Sequence, residues 1–499
     1  MNDFFKKPVL ITALCAAFGG QMVSNAAFAT DHGDTALVNG TARNDARLSD
    51  YFALNSGKML AFILNTNPTI GTPAQLPAQS QTNYIFPTDV KFTANVDNHS
   101  KVNFNDALRN AALGGTIEDT SKIQENFTFT FTFDSNNKLT TIMSSPDTAL
   151  GISGFYPTEV NQGDLVYVLG SGFNGAETKV RVNGRLAVLS RVLSDNVLVF
   201  IAPIFGGKTG VVTISTDEGA SVSSTSELVI NKFQGITPET LKNVTTILTN
   251  TAVTDAIKAG NVMALADIGL PVHSFSGLRD DPFIRTVQQG KNIAAMAVEL
   301  PQSLFTHGRQ KVLITWGTSA FNSITGPSSD VAGRSFGSMF TPEQFIINTL
   351  HPSQQVAALE AKEAAAPAIG AATQAVRATF LMPCQTAFQP FSTTNPAQQL
   401  TLLSTPPLNI DCAPGERMLK APDVMIFDTT KPQHFPDGRA MDNDQIDLIA
   451  PYDPRVENLR RMEINATGVD IHGAPVVASP AANDVPLSPT FPYLGLPQP

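Results

Sequence analysis

The densest set of side chains able to do chemistry lies late in the chain, at Asp437-Gly438-Arg439, Asp442, Asp444 and Asp447. Carboxylates this close together suit a divalent cation, which takes several oxygen ligands, or a pair that divides acid and base roles. If residues 444–450 are helical, Asp444 and Asp447 share a face and Asp442 sits near the cap. The competing role is structural, a helix cap braced by an ion pair from Arg439. Arg279-Asp280-Asp281-Pro282 admits the same two readings, a buried brace at a turn or part of a site.

Two further places could hold a cation. Asp31, His32 and Asp34 put one imidazole between carboxylates. The loop Asp97-Asn98-His99-Ser100-Lys101 offers an acid at its head, but the Lys101 ammonium repels a cation, which favours a solvated hairpin turn. The seven His are widely spread, which removes every local zinc signature. Cys pairs of metal or haem spacing and a Gly-x-Ser-x-Gly elbow are absent. Ala202 to Thr209 fits a relaxed phosphate loop, but Val211-Val212-Thr213-Ile214-Ser215 follows as a strand where that chemistry needs a helix. No organic cofactor is expected, and a divalent cation is the one candidate.

These groups must be positioned by a chain of 499 residues with net charge −10, 42% hydrophobic and 15% charged. That composition is too apolar for a disordered chain, and it lacks the basic blocks that a nucleic-acid partner requires. Phe127-Thr128-Phe129-Thr130-Phe131-Thr132-Phe133 alternates with period two, so four Phe share one face of a strand and three Thr the other. Such a face is more often a sandwich core than a ligand cavity. Ala61 to Asn65 and Val90 to Val96 are further strands between turn clusters.

Between residues 152 and 232, strand candidates recur about every ten residues. They are Leu165–Leu169, Lys179–Val182, Leu186–Leu189, Val197–Ile201, Val211–Ser215 and Glu227–Ile230, with Asn183-Gly184 as a hairpin turn. Thr237-Pro238-Glu239 then opens a helix bearing Leu241, Val244 and Leu248. Asn292–Leu300 and Lys311–Trp316 read as strands, residues 341–382 as Ala-rich helix, and 383–436 as Pro-rich loop. The expected class is mainly β with some α: a split antiparallel β-sandwich-like host carrying an inserted immunoglobulin-like sandwich.

Residues 1–29 read as a secretory signal peptide. Lys6 and Lys7 precede a short apolar stretch from Val9 to Val23, and Ala27-Phe28-Ala29 is a small-x-small cleavage site before Thr30. The mature chain has no run long enough to span a membrane as a helix. It is therefore expected to be exported to the periplasm, the cell surface or the medium. There Cys384 and Cys412 would form a disulfide, with stabilisation of about 3–4 kcal/mol.

Two resemblances add to this. Gly154-Phe155-Tyr156-Pro157, Gly163, Gly170-Ser171-Gly172-Phe173, Ala202-Pro203 and Thr209-Gly210 resemble the immunoglobulin-like, plexin and transcription-factor (IPT/TIG) domain. That resemblance implies a β-sandwich used as a spacer or binding module. The flanks are similar to a bacterial exported family known as domain of unknown function 4331. The similarity rests on Asp31-His32-Gly33-Asp34, Leu48-Ser49-Asp50-Tyr51-Phe52, Asn83-Tyr84-Ile85-Phe86, Asn95-Val96-Asp97-Asn98 and Gly277 to Phe283. It continues through Val298-Glu299-Leu300-Pro301, Phe435 to Arg439, Asp442 to Asp447 and Phe491-Pro492-Tyr493-Leu494-Gly495. Acidic residues at alternate positions in the Asp97 loop of that family are what suggest a cation there.

The resulting organisation is a leader at 1–29, a first host part at 30–151, the inserted sandwich at 152–232 and a second host part at 233–499. The leading expectation is a non-enzymatic envelope or extracellular binding or scaffold protein. Its partner would be another envelope protein or a surface glycan, held through the IPT/TIG module. The alternative is a hydrolase or cation-dependent protein using Asp280, Asp281, Asp442, Asp444 and Asp447 from converging loops.

Overall fold

The computed structural model describes residues 43–70, 84–144, 149–173, 178–204, 206–217, 219–232, 235–249, 271–282, 292–306, 310–323, 326–334, 349–358, 360–361, 421–442, 483 and 485–498. The expected leader, Asp31, His32, Asp34, Cys384, Cys412, Asp444 and Asp447 lie outside the described residues. So does most of the 341–382 segment, within which 352–358 is helical.

In chain order the first strands are β1 (Leu48–Ser56), β2 (Met59–Ile70), β3 (Val90–Asp97), β4 (Val102–Asn103), β5 (Thr116–Ile117), β6 (Phe127–Phe133) and β7 (Leu139–Ser144). A middle unit follows with β8 (Gly151–Tyr156), β9 (Glu159–Asn161), β10 (Leu165–Ser171), β11 (Thr178–Val182), β12 (Arg185–Leu186), β13 (Ser190–Ser194), β14 (Val197–Ile201), β15 (Gly210–Thr216) and β16 (Ser221–Asn231). Then come β17 (His273–Asp280), β18 (Asn292–Pro301), β19 (Val312–Ser323), β20 (Gly326–Ala332) and β21 (Met425–Asp428). The helices α1 (Ala107–Leu113) and α2 (Pro238–Thr249) are short. Thr237 caps α2 by accepting the Thr240 N–H at 3.1 Å, with Pro238 in the first turn.

Among the described residues, the chain outside the middle unit builds two large sheets, ordered β1-β2-β18-β17 and β20-β19-β3-β6-β7 with β21 paired to β19, and a two-stranded sheet β4-β5. Each joins strands from both sides of the middle unit: β2 pairs with β18, and β3 with β19. The alternation of β6 is realised fully. Phe127, Phe129, Phe131 and Phe133 are buried, while the Thr between them are half-buried. Phe129 stacks on Phe62 of the opposing sheet at 5.7 Å, and Phe305 meets Phe62, Phe127 and Phe129 edge-on. Offset and edge-on aromatic contacts add to the burial of the rings, and truncating one to Ala costs about 3–5 kcal/mol. At Gly317 the sheets approach so closely that a Cβ would lie 3.0 Å from the Tyr51 ring and 3.2 Å from Leu64.

The middle unit has two sheets, β13-β14-β10-β8 and β12-β11-β15-β16-β9. Their facing sides bury Phe155, Val166, Val168, Leu198 and Phe200 against Val180, Val182, Val212, Ile214 and Leu228. The strand expected over Leu186–Leu189 is instead split. β12 ends at Leu186, Ala187 turns inward into the core, Val188 is 77% exposed, and β13 begins at Ser190. A continuous strand would have to alternate its faces through that point, and here the chain changes sheet.

Candidate functional site

The outer face of β1-β2-β18-β17 orders its side chains in rows across the four strands. Register places Asp50, Asn65, Ala295 and Gly277 in one row, Phe52, Ile63, Ala297 and Phe275 in the next, and Leu54, Ala61, Glu299 and His273 in a third. Residues 485–498 lie over this face, with Leu494 buried against Phe52, Ile63, Ala295 and Ala297. Gln498 fastens the end of that segment through Asn292 at 2.7 Å and Asp280 at 2.8 Å.

At one end of the face, the Arg439 guanidinium donates to Asp50 at 2.9 Å and lies over the Phe52 ring at 4.3 Å. Across the sheet, Arg279 lies over Phe275 at 4.2 Å, and burial holds its pKa below the ordinary arginine value. At the other end, the buried Glu299 receives two donors. His273 Nδ1 is 2.8 Å from Oε2, and the Tyr493 hydroxyl donates to Oε1. Burial and the Glu299 charge push the Tyr493 hydroxyl up to about 12, so it stays protonated and donates. The carboxylate thereby orients an imidazole whose side chain is 59% exposed.

The Asp437 neighbourhood is a tight acidic hairpin. Asp428 takes the Thr430 N–H and hydroxyl on Oδ1 and Lys431 Nζ on Oδ2 at 2.9 Å. Its own N–H donates to Asp437 Oδ1 at 2.7 Å. Burial raises the Asp437 carboxyl to about 6, with the Asp428 charge adding to the shift and the Asp428 N–H opposing it.

A third arrangement lies beside the six-stranded sheet. His351 Nε2 is 2.8 Å from Glu125 Oε1, and His351 Nδ1 is 2.7 Å from Ser353 Oγ. The edge of Trp316 packs against the imidazole at 5.7 Å. Burial pushes the Glu125 carboxyl up, and the His351 contact outweighs this, leaving it below the ordinary range.

Of the residues singled out from the sequence, Asp97, Asp280, Asp281 and Asp442 are among the described residues. Asp97 is fully buried and closes its turn. Oδ1 accepts the N–H groups of His99 and Ser100, and Oδ2 accepts the Ser100 hydroxyl and the Gln124 N–H. Asp280 and Asp281 are buried at the end of β17, while Asp442 is exposed. Among the described residues, no three His, Cys, Asp or Glu side chains converge in metal-holding geometry. The stretch from Ala202 to Thr209 leads into β15 rather than a helix, and Gln162 donates to the Gly207 carbonyl at 3.0 Å.

Sequence reasoning missed Glu299, His273, Glu125 and His351. One signal for Glu299 was available: it is a lone acid in an otherwise apolar strand, and a buried carboxylate requires donors. Glu125 and His351 carry no local signal, because only tertiary packing brings them together.

The middle unit is joined to the outer sheets by close contact. Ser303 Oγ donates to the Phe155 carbonyl at 2.9 Å, and a Cβ at Gly154 would lie 2.0 Å from the Ser303 carbonyl oxygen. In its four-stranded sheet, the side chains not facing the unit's own core are also buried. Tyr167, Leu169, Val197, Val199 and Ile201 join the core that contains Leu304 and Phe305. Residues 150–229 match the IPT/TIG domain family. The middle unit is an IPT/TIG domain.

No curated protein matches the chain significantly. Among solved structures, an auxiliary nutrient binding protein from Bacteroides ovatus is 24% identical over 17% of this chain and 22% of its own, with a TM-score of 0.15. One from Bacteroides thetaiotaomicron is 23% identical over the same shares, also at 0.15. The Bacteroides ovatus mixed-linkage glucan utilization locus protein SGBP-B, in complex with a mixed-linkage heptasaccharide, is 10% identical over 36% of this chain and 54% of its own, at 0.15. The chain spans about a fifth of the length of the first two. Likenesses of this extent say nothing of ligand or activity. Among the described residues, no helix is long and apolar enough to cross a membrane.

Proposed function

We propose that this is an exported binding or scaffold protein of the envelope or the extracellular space, whose outer sheets hold the IPT/TIG domain in a fixed orientation. In this reading the flanking sheets belong to the exported family 4331 that their motifs resemble, and the leader at 1–29 carries the chain out of the cytoplasm. The supporting observation is the unlike treatment of the two IPT/TIG sheets. One is covered on both faces, the second by the outer-sheet core. The other turns a row of side chains outward, with Ser221, Ser223, Thr225, Glu227 and Val229 of β16 all exposed beside Val211 and Lys179. A pure spacer has no need of a second buried face. Burial of that face removes hinge freedom at the junction, so the free sheet is presented to a partner with little ordering cost on binding.

The partner is a surface glycan or another envelope protein recognised on that free face. The test is fractionation of expressing cells together with pull-down of isolated envelope material by the purified full chain. Expected are recovery outside the cytoplasm with the leader removed, and envelope binding that Val211→Asp with Val229→Asp weakens at least tenfold. Cytoplasmic retention, or binding indifferent to both substitutions in a folded variant, overturns the reading.

A further inference from the structure

We propose that Ser353, His351 and Glu125 form a hydrolytic site for carboxylic esters, separate from the binding face of the IPT/TIG domain. The hydrogen bonds fix the imidazole tautomer. His351 Nδ1 accepts the Ser353 backbone N–H at 3.2 Å, so that nitrogen carries the lone pair and Nε2 carries the proton. The Ser353 hydroxyl, 2.7 Å from the same Nδ1, therefore donates to it. The Nε2–H faces Glu125 Oε1 at 2.8 Å across a short but bent contact. Catalytic hydrogen bonds are often poorly aligned before substrate arrives.

A nucleophile, a base and a group that orients the base thus stand in series. A His that merely caps a helix needs only its Nδ1 lone pair. Glu125, which comes from the loop before β6, adds nothing to a cap, but it stabilises an imidazolium. The His351 and Glu125 side chains are each 30% exposed, sheltered yet reachable, and Trp316 fixes the plane of the ring.

In the reaction, Ser353 Oγ bonds to the ester carbonyl carbon as its proton passes to the single lone pair of His351 Nδ1, which releases the Ser353 N–H it held. The carbon–oxygen bond to the leaving group then breaks, and the departing alkoxide takes that proton as an alcohol. Water repeats the sequence on the acyl-serine, releasing the carboxylic acid and restoring the Ser353 hydroxyl. At rest the Ser353 N–H is engaged by His351 Nδ1, and the Gln354 N–H by the His351 carbonyl at 2.8 Å. Neither donor is preset on an oxyanion, a contribution of about 10²–10³ in rate where present. The site therefore suits reactive esters rather than amides.

The test uses the full chain with a fluorophosphonate probe and with p-nitrophenyl acetate. Expected are covalent labelling mapped to Ser353 and slow ester turnover, both lost in Ser353→Ala. His351→Asn still caps the helix and should lose labelling while the chain stays folded by circular dichroism. Glu125 is a positioning residue, so Glu125→Gln should lower kcat by roughly 10-fold or more with KM unchanged. No labelling of a folded parent chain, or labelling that persists in Ser353→Ala, overturns the proposal. Neither result touches the binding assay of the IPT/TIG face.

Discussion

Arg439 and Asp50 are 389 residues apart in sequence and 2.9 Å apart in space, and both are almost fully buried. The pair ties the first long strand to the segment that follows β21. Removing one partner leaves the other charge buried and uncompensated, which costs about 3–5 kcal/mol. Arg439→Met is therefore expected to lower the denaturant midpoint sharply. Adding Asp50→Leu should recover much of the loss, since a buried ion pair is worth little more than an apolar pair of similar volume. If the double variant is as unstable as the single one, charge burial is not the cause.

Tyr493 is the corresponding fastener at the far end of the same face. Tyr493→Phe keeps the ring beside Phe491 and removes the hydroxyl that donates to Glu299 and also meets Ser56. The expected loss is about 1–3 kcal/mol. Amide hydrogen exchange should quicken first at residues 485–498. Exchange that rises uniformly over all the sheets would argue against local fastening.

Asp437 gives a pH signature. Its carboxyl is raised from 3.8 to about 6 because it is buried, so the folded chain holds this proton more tightly than the unfolded chain. The contribution to stability is full below about 4 and is lost as pH rises through about 6. Asp437→Asn should remove that component. The difference in melting temperature between variant and parent should then favour the variant increasingly from pH 4 to pH 7. A difference that is flat over this range would contradict the assignment.

Asp97 distinguishes a turn brace from a cation ligand. Its oxygens already accept four hydrogen bonds from Ser100, His99 and Gln124. Asp97→Asn turns one acceptor oxygen into a donor facing donors, at a cost of about 1–3 kcal/mol. The parent's melting temperature is expected to be the same with and without chelator. A chelator-dependent drop that Asp97→Asn abolishes would mean that a cation sits there.

What could be read from the sequence was whatever depends on local periodicity. The Phe/Thr alternation of β6, the cap of α2 and the apolar run of β18 each carry their own signal, because two-residue and 3.6-residue repeats are properties of one segment. The split between β12 and β13 was not legible, since it depends on which sheet each half joins. The polar sites were less legible still. The Asp-rich motifs drew attention by density, yet density is equally the mark of turns and caps. Glu125 with His351, and Glu299 with His273 and Tyr493, are each assembled from segments with no shared motif, and only the register and packing of the sheets reveal them.

The pairing of β2 with β18 and of β3 with β19 has a temporal consequence. A nascent chain leaves the ribosome with its amino end first. β2 and β3 therefore each hold one unpaired edge while the IPT/TIG strands are still being synthesised. Those strands pair only among themselves, so that lobe can close before either outer sheet does. An open apolar edge invites association with other chains. The interval before β18 and β19 appear is when a holding chaperone has most to protect.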